Sequence, residues 1–98
     1  MYGTVARLKV KPGMEKELAA FGDQWGRERK GSVDGAVGGY VYRLDAGSGA
    51  YILAVAFRDK ESYRANAQSP EQDADYRRLR ALLTEDPLWE DGEIIATL

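Results

Sequence analysis

Aromatic side chains are the residues of this chain whose types and spacing are best suited to binding chemistry. Six of them, with one amide, fall at positions predicted to face the space between helices and sheet: Phe21, Trp25, Tyr40, Tyr42, Tyr63, Tyr76 and Asn66. Pockets for small ligands are mostly apolar and carry a few placed polar groups, which this set would supply. The same residues would also fill an ordinary core whose tyrosine hydroxyls reach its rim. A pocket for a flat aromatic ligand and a closed core are therefore the two interpretations.

Two residue types are absent from the chain, histidine and cysteine. Without histidine there can be no Ser-His-Asp triad, no imidazole general base, no histidine-ligated haem and no His-rich zinc site. Without cysteine, disulfides, thiolate metal sites and cysteine nucleophiles are excluded. Aspartate and glutamate fall mainly on predicted helix surfaces and turns, so we expect no carboxylate base inside a cavity. An isomerase or lyase that needs such a base is therefore not favoured.

Length and charge limit the remaining classes of protein. A chain of 98 residues fits one domain over residues 1–98, and 44% apolar with 31% charged residues is the composition of a folded protein. A net charge of -2 offers no attraction for polyanions, so we expect no nucleic-acid partner. No run approaches the ~18 apolar residues of a membrane span, and the N-terminus carries no signal core. We therefore expect a cytoplasmic protein that does not enter a membrane.

Alternating and helical spacings predict the elements of the first half of the chain. Residues 2–10 alternate and predict a strand, and a helix follows whose apolar stripe consists of Met14, Leu18, Phe21 and Trp25. Residues 36–45 alternate again and predict a second strand. Its alternation places Tyr40 and Tyr42 on the face that is turned towards the helices.

The second half of the chain is predicted from turn and capping signals. Residues 46–49, Ala-Gly-Ser-Gly, predict a hairpin turn into a third strand over 50–57, whose eight residues are all apolar and should be buried on both faces. A short helix is predicted over 59–67, and a further helix begins after Ser69 with proline at its first position. Asp-Gly at 91–92 marks a turn before a last strand over 93–98.

This order of elements predicts an α+β fold of the ferredoxin-like βαββαβ type, with a four-stranded antiparallel sheet covered by helices on one face. The opposite face would expose Val5, Val37, Val41 and half of the third strand. Such an apolar patch exceeds what monomers usually leave in water. A second copy placed sheet to sheet would cover it, which predicts a homodimer with the form of a dimeric α/β barrel.

Two binding classes that share parts of this pattern are not favoured. RNA-recognition modules use the same order of elements but carry a basic residue and stacking aromatics on the third strand. Here Leu53 and Val55 lie between the two aromatic residues of residues 49–57, and no lysine or arginine leads the run. A phosphate-binding loop is equally unfavoured at Lys11-Pro12-Gly13, because one glycine supplies too few backbone donors.

Four short segments carry a resemblance to a known family: Val-Ala-Arg-Leu-Lys-Val-Lys-Pro-Gly at 5–13, Phe-Arg-Asp-Lys-Glu-Ser-Tyr at 57–63, Gln-Ser-Pro at 68–70 and Asp-Gly-Glu at 91–93. Their order and spacing, over nearly the whole chain, resemble the antibiotic biosynthesis monooxygenase (ABM) domain family. The resemblance implies a dimeric α+β barrel. Members of that family include cofactor-free monooxygenases that act on polycyclic phenols, haem-degrading enzymes and proteins of unassigned function.

The haem-degrading branch of that family is matched poorly. It uses an asparagine on the first strand, a tryptophan on the second helix and a histidine on the next, where this chain has Ala6, Asn66 and Tyr76. Haem cleavage is therefore not expected. Many other members carry a histidine at the place of Asn66, so an acid-base role there would have to differ from theirs.

The quinone-forming branch implies chemistry that needs no metal, flavin or other cofactor, because the substrate itself gives electrons to dioxygen. The protein would bind a phenol, favour its anion and exclude water. In this hypothesis Asn66 and Tyr76 donate hydrogen bonds to the substrate oxygen, and five aromatic residues bind the ring: Trp25, Tyr63, Phe21, Tyr40 and Tyr42. The alternative is a non-catalytic homodimer that binds a small aromatic or hydrophobic molecule. A closed, filled core around Tyr76 and Asn66 would favour the alternative, and an enterable cavity would favour the enzyme.

Overall fold

The computed structural model describes residues 1–98 and contains one four-stranded antiparallel sheet in the order β2-β3-β1-β4. The elements are β1 (Tyr2–Lys9), α1 (Glu15–Gln24), β2 (Ala36–Arg43), β3 (Ala50–Phe57), α2 (Lys60–Ala67), α3 (Pro70–Arg80) and β4 (Leu88–Glu93). The predicted α+β, ferredoxin-like βαββαβ fold is confirmed. None of the helices combines the length and the apolar composition that a membrane crossing requires.

The helix boundaries follow from local capping chemistry. The Asp59 carboxylate accepts a hydrogen bond from Ser62 N at 2.8 Å and begins α2, and Ser69 Oγ accepts from Gln72 N at 3.1 Å and begins α3 with Pro70 first. After α1 the chain continues as a π-helical turn (Trp25–Arg29) and a 3-10 turn (Lys30–Ser32). The wider turn is an irregularity often found at functional sites, and Trp25 is its first residue.

The core is concentrated at one end of the sheet. Alternate residues of β1 meet α1, α3 and the segment after α3, and the buried cluster consists of Ala6, Leu8, Val10, Leu18, Tyr51, Leu79 and Leu83. Val10 also forms an isolated bridge with Leu83, which ties the end of β1 to the chain beyond α3. The opposite end of the helix-facing side is packed less fully, and this difference leaves room for a cavity.

The face assignment predicted for β2 is wrong after its first residues. Ala36 pairs with Phe57 while Gly38 pairs with Ala56, so two residues of β2 advance against one of β3 in a β-bulge. Gly38 has a φ of 142°, a conformation that favours glycine. One inserted residue exchanges the two faces of everything that follows it. Predictions from strict alternation therefore fail beyond Gly38.

The bulge moves two of the predicted ligand-binding tyrosines to the sheet face that is turned away from the helices. Tyr40 and Tyr42 are 72% and 50% exposed. Val41 takes the helix-facing position instead, and its Cγ2 lies 3.7 Å from the place where a Cβ on Gly22 of α1 would be. The sheet face opposite the helices therefore carries two more aromatic rings and one valine fewer than the sequence predicted.

The last strand was also predicted in the wrong place. β4 covers Leu88–Glu93, before the predicted range 93–98, and pairs with β1 in register from Arg7 opposite Leu88 to Tyr2 opposite Glu93. Asp91 and Gly92 have low intrinsic strand propensity, and for this reason the sequence predicted a turn there. Backbone pairing with β1 overrides that propensity. Because Thr4 and Ala6 face the helices, their partners Asp91 and Trp89 do so as well.

An exposed apolar surface covers the sheet face opposite the helices, as predicted, although its membership differs. Val5, Tyr40, Tyr42 and Leu88 are all exposed there, and Ile52 and Ala54 of β3 lie between them by register. We call this set the open face. The third strand is buried at Tyr51 and Phe57 and only half-buried between them, so the expected burial of both its faces is not met within one chain.

Candidate functional site

An open cavity of about 960 Å³ lies between the helix-facing side of the sheet and the three helices. Apolar and aromatic side chains form most of its walls, and exposed residues such as Gly39 and Asp91 line it too. The space around Tyr76 and Asn66 is therefore an enterable cavity, which is the arrangement that distinguishes a binding pocket from a filled core.

Seven residues were predicted from the sequence as site residues. Five of them lie on helical segments and line this cavity, namely Phe21, Trp25, Tyr63, Asn66 and Tyr76. Tyr40 also borders it, although Tyr40 lies on the open-face register of β2, and Tyr42 does not border it. The structure thus brings together the helix-borne members of the set. Of the two tyrosines on the strand that the bulge shifts, Tyr40 stays at the border of the cavity and Tyr42 lies outside it.

Tyr63 anchors one end of the cavity. Its hydroxyl donates a hydrogen bond to Asp91 Oδ1 at 2.9 Å, and its ring packs against Tyr2 and Phe57 with centroid distances of 5.3 and 5.5 Å. Burial, followed by the hydrogen bond to Asp91, raises the pKa of Tyr63 to about 12. Tyr63 therefore keeps its proton at neutral pH and acts as a hydrogen-bond donor.

Asn66 lies where α2 ends and α3 begins. Its Nδ2 donates to Gln72 Oε1 at 3.2 Å, and its backbone carbonyl accepts a hydrogen bond from Ser69 Oγ at 2.8 Å. The side-chain oxygen of Asn66 has no partner within the protein and is not sealed from solvent. The helix break therefore holds an amide at the cavity wall with hydrogen-bonding capacity to spare.

Tyr76 and Trp89 form an aromatic wall of the cavity. Their ring centroids are 6.4 Å apart with an interplanar angle of 48°. The Tyr76 hydroxyl makes no hydrogen bond within the chain, so it is free to serve a ligand. Trp89 was missed at the sequence level because β4 was placed too late, and correct register with β1 is the signal that would have found it.

Carboxylates do reach the cavity, contrary to the sequence-based expectation. Asp75 and Asp91 both line it, and Asp75 is only 6% exposed. Asp75 Oδ2 accepts a hydrogen bond from Arg29 Nε at 2.8 Å, which links α3 to the π-helical turn after α1. A sequence signal for Asp75 existed, since it precedes the core residue Leu79 by one helical turn. Its partner could not be found from spacing, because the two residues are distant in the chain.

Replacing Asp75 with Asn should lower the free energy of unfolding by about 1–3 kcal/mol, because the half-buried Arg29 guanidinium would lose its charged acceptor. Asp73→Asn is a matched control on the same helix. It removes the same charge from an exposed ion pair with Arg77, which is worth about 0.5 kcal/mol or less. Urea unfolding of both variants tests this, and equal losses of stability would contradict the structural role of Asp75.

The raised pKa of Tyr63 predicts how its stabilising effect depends on pH. As the pH rises, the unfolded chain releases this proton near the ordinary value of 10.0, before the folded chain does so at about 12. The contribution is therefore fully present below pH 10 and is lost as the pH rises towards 12. Urea unfolding of the wild type and of Tyr63→Phe should give a stability difference that shrinks over this window. A difference that is constant with pH would show that Tyr63 titrates normally.

No protein-family model matches this chain, and no curated protein matches it. Solved structures do. A chain from Caulobacter crescentus named "putative antibiotic biosynthesis monooxygenase" superimposes with a TM-score of 0.82 at 17% identity, covering 97% of this chain and 90% of that one. One of the same name from Bordetella bronchiseptica gives 0.81 at 19%, with 97% of each chain covered. A protein of unknown function from Nitrosomonas europaea gives 0.77 at 23%, covering 99% and 91%. At these identities the likeness shows the fold of the single chain, which is the α+β fold that the ABM resemblance implied.

Proposed function

We propose that this chain is an ABM-type, cofactor-independent monooxygenase that oxidises a phenolic or polycyclic aromatic small molecule with dioxygen. The observation that carries the proposal is the open, aromatic-walled cavity of about 960 Å³. A cavity of this size accommodates a ligand of several fused rings. Its free polar groups, the Asn66 amide oxygen and the Tyr76 hydroxyl, lie among aromatic walls, as the binding of a flat ligand with a few oxygen atoms requires.

The proposed reaction converts a CH2 group of a ring, which lies across that ring from a ketone, into a second carbonyl. The carbon loses its two hydrogens and four electrons, and dioxygen accepts the electrons. One oxygen atom enters the product, and the other leaves as water with the two protons. The substrate is the only reductant, so the protein's work is to bind the ring, stabilise its anion and keep bulk water away.

Each wall of the cavity has a part in this proposal. Tyr76 donates a hydrogen bond to the substrate oxygen, and Asn66 donates a second one through the N–H of its amide nitrogen that Gln72 does not occupy. Phe21 and Trp25 hold one ring face, and Arg78 lies over Phe21 with its guanidinium carbon 5.5 Å from the ring centroid. That contact restrains the Phe21 ring and so preserves the shape of the cavity.

We further propose that two copies pair through the open face as a homodimer. Two tyrosines, a valine and a leucine are exposed on it, and the half-buried β3 would become buried once a second sheet lies against it. The pairing would leave the helix-side cavity of each copy intact. It would also add the apolar burial that a chain of this length cannot obtain alone.

Oxygen uptake with anthrone, the keto form of a polycyclic phenol, tests the proposed reaction. The wild type should consume oxygen faster than buffer and form the quinone. Asn66→Ala and Tyr76→Phe should each slow turnover roughly 10- to 100-fold, because each removes a hydrogen bond to a charged oxygen. Gln68→Ala, which removes an exposed amide at the end of the same helix and away from the cavity, should not change the rate. Quenching of tryptophan fluorescence by anthrone without oxygen uptake would instead identify a non-catalytic binding protein.

Sedimentation at micromolar concentration tests the homodimer. The wild type should sediment as a dimer, and Val5→Glu should shift it to a monomer, because a charge on the open face would be buried without a partner. Ala65→Glu places the same charge on the exposed side of α2 and should leave the dimer intact. A monomeric wild type would refute this assembly.

A further inference from the structure

Asp91 differs from the other carboxylates of the cavity in its partners. Three of the others are neutralised by arginines: Glu15 by Arg43 at 2.5 Å, Asp73 by Arg77 at 2.8 Å and Asp75 by Arg29 at 2.8 Å. Asp23 makes neither an ion pair nor a hydrogen bond, so nothing orients it. Asp91 has no cation within 4.0 Å, yet one of its oxygens is held by the Tyr63 hydroxyl. It is the one carboxylate of the cavity that is both oriented and free of a counter-ion.

The strand register places this carboxylate beside the aromatic wall. Asp91 lies opposite Thr4 of β1, and Trp89 lies opposite Ala6, so both project from the same face of β4 one side-chain repeat apart. The Trp89 ring packs against Tyr76. A flat ligand that stacks on this pair would therefore have an edge turned towards Asp91.

We propose that Asp91 is a catalytic base that removes a proton from an acidic C–H group of the bound aromatic ketone, with Tyr63 as its positioning residue. The C–H bond breaks, its electron pair remains on the substrate and is delocalised onto the ring oxygen as an enolate, and the proton passes to Asp91 Oδ2. Asp91 is exposed, so it exchanges that proton with solvent. The step is redox-neutral and consumes no oxygen. The inference rests on the proposed function for its substrate class alone.

Tyr63 is suited to the positioning role because its hydroxyl donates to Oδ1 and leaves Oδ2 free for the substrate. Its pKa of about 12 means that this donor stays protonated throughout the neutral range. Asp75 is unsuited to act as the base, since Arg29 and Arg78 lie 2.8 and 3.9 Å from its oxygens. Arg29 occupies Oδ2 and Arg78 faces Oδ1, so neither oxygen of Asp75 is left open to a substrate C–H group.

The proton transfer can be measured without the oxidation. Anthrone incubated with the protein in deuterated buffer under argon should exchange its CH2 hydrogens for deuterium, and proton NMR follows the loss of that signal. The wild type should accelerate the exchange over buffer. Asp91→Asn should lose about 10²-fold or more of the acceleration, as expected for removal of a general base. Glu93→Gln removes the same charge from the same strand outside the cavity and should exchange like the wild type.

Tyr63→Phe keeps the ring contacts with Tyr2 and Phe57 and removes only the hydroxyl. It should lower the maximal exchange rate, because Asp91 loses the hydrogen bond that orients it. The anthrone concentration for half-maximal rate should stay the same, because the aromatic walls that bind the ligand are unchanged. Anthrone quenching of tryptophan fluorescence reports folding and binding of each variant. Should Asp91→Asn fail to fold, Asp91→Ser supplies the same test with a smaller neutral group, and Tyr63→Phe remains as the second measurement.

The outcomes separate this inference from the proposed oxygenase function. If the wild type exchanges deuterium, Asp91→Asn does not, and neither takes up oxygen, the role of Asp91 as a base is supported and the oxygenase function is overturned. A wild type that takes up oxygen, with an Asp91→Asn variant that exchanges and oxidises equally fast, overturns the base and leaves the oxygenase standing. A wild type that binds anthrone without accelerating exchange also overturns the base.

Discussion

Strand β1 is the constraint on which the rest of the structure depends. It pairs with β3 on one side and β4 on the other, over nearly its whole length. Its helix-facing residues Ala6 and Leu8 are almost fully buried, as is Val10 just beyond the strand, and Thr4 of the same face lines the cavity. Because these residues share one face, a single strand contributes both to the packed core and to the floor of the cavity. Packing at one end thus supports an open space at the other.

The edge strands carry the features that distinguish this cavity. In β2 the bulge at Gly38 turns Val41 towards α1 and moves Tyr42 to the open face. In β4 the register with β1 turns Trp89 and Asp91 inwards. Each of these placements is set by pairing with a neighbouring strand, so a shift of one residue in either edge strand would change which side chains a ligand meets.

Most of the carboxylates that line the cavity are paired with arginines, but Asp91 is not. Arginines neutralise Glu15, Asp73 and Asp75 at the helix side. Near β4 the Tyr63 hydroxyl donates to the Asp91 carboxylate, which has no cation within 4.0 Å. An aromatic ligand has few hydrogen bonds to water to give up on entering the cavity. In the proposed binding mode its acidic C–H group would lie next to Asp91, a carboxylate without a counter-ion. This asymmetry connects the proposed oxygen chemistry with the proton transfer inferred for Asp91.

The sequence by itself determined the order of elements, the helix caps at Asp59 and Ser69 and the aromatic stripe with Trp25, because these features depend on neighbours within a few residues. It also determined that imidazole and thiolate chemistry are excluded, since those residues are absent. Only the tertiary structure decided the faces of β2, the position of β4 and the pairing of Asp75 with Arg29. Bulges, strand register and distant ion pairs depend on partners far along the chain, and no local spacing encodes them.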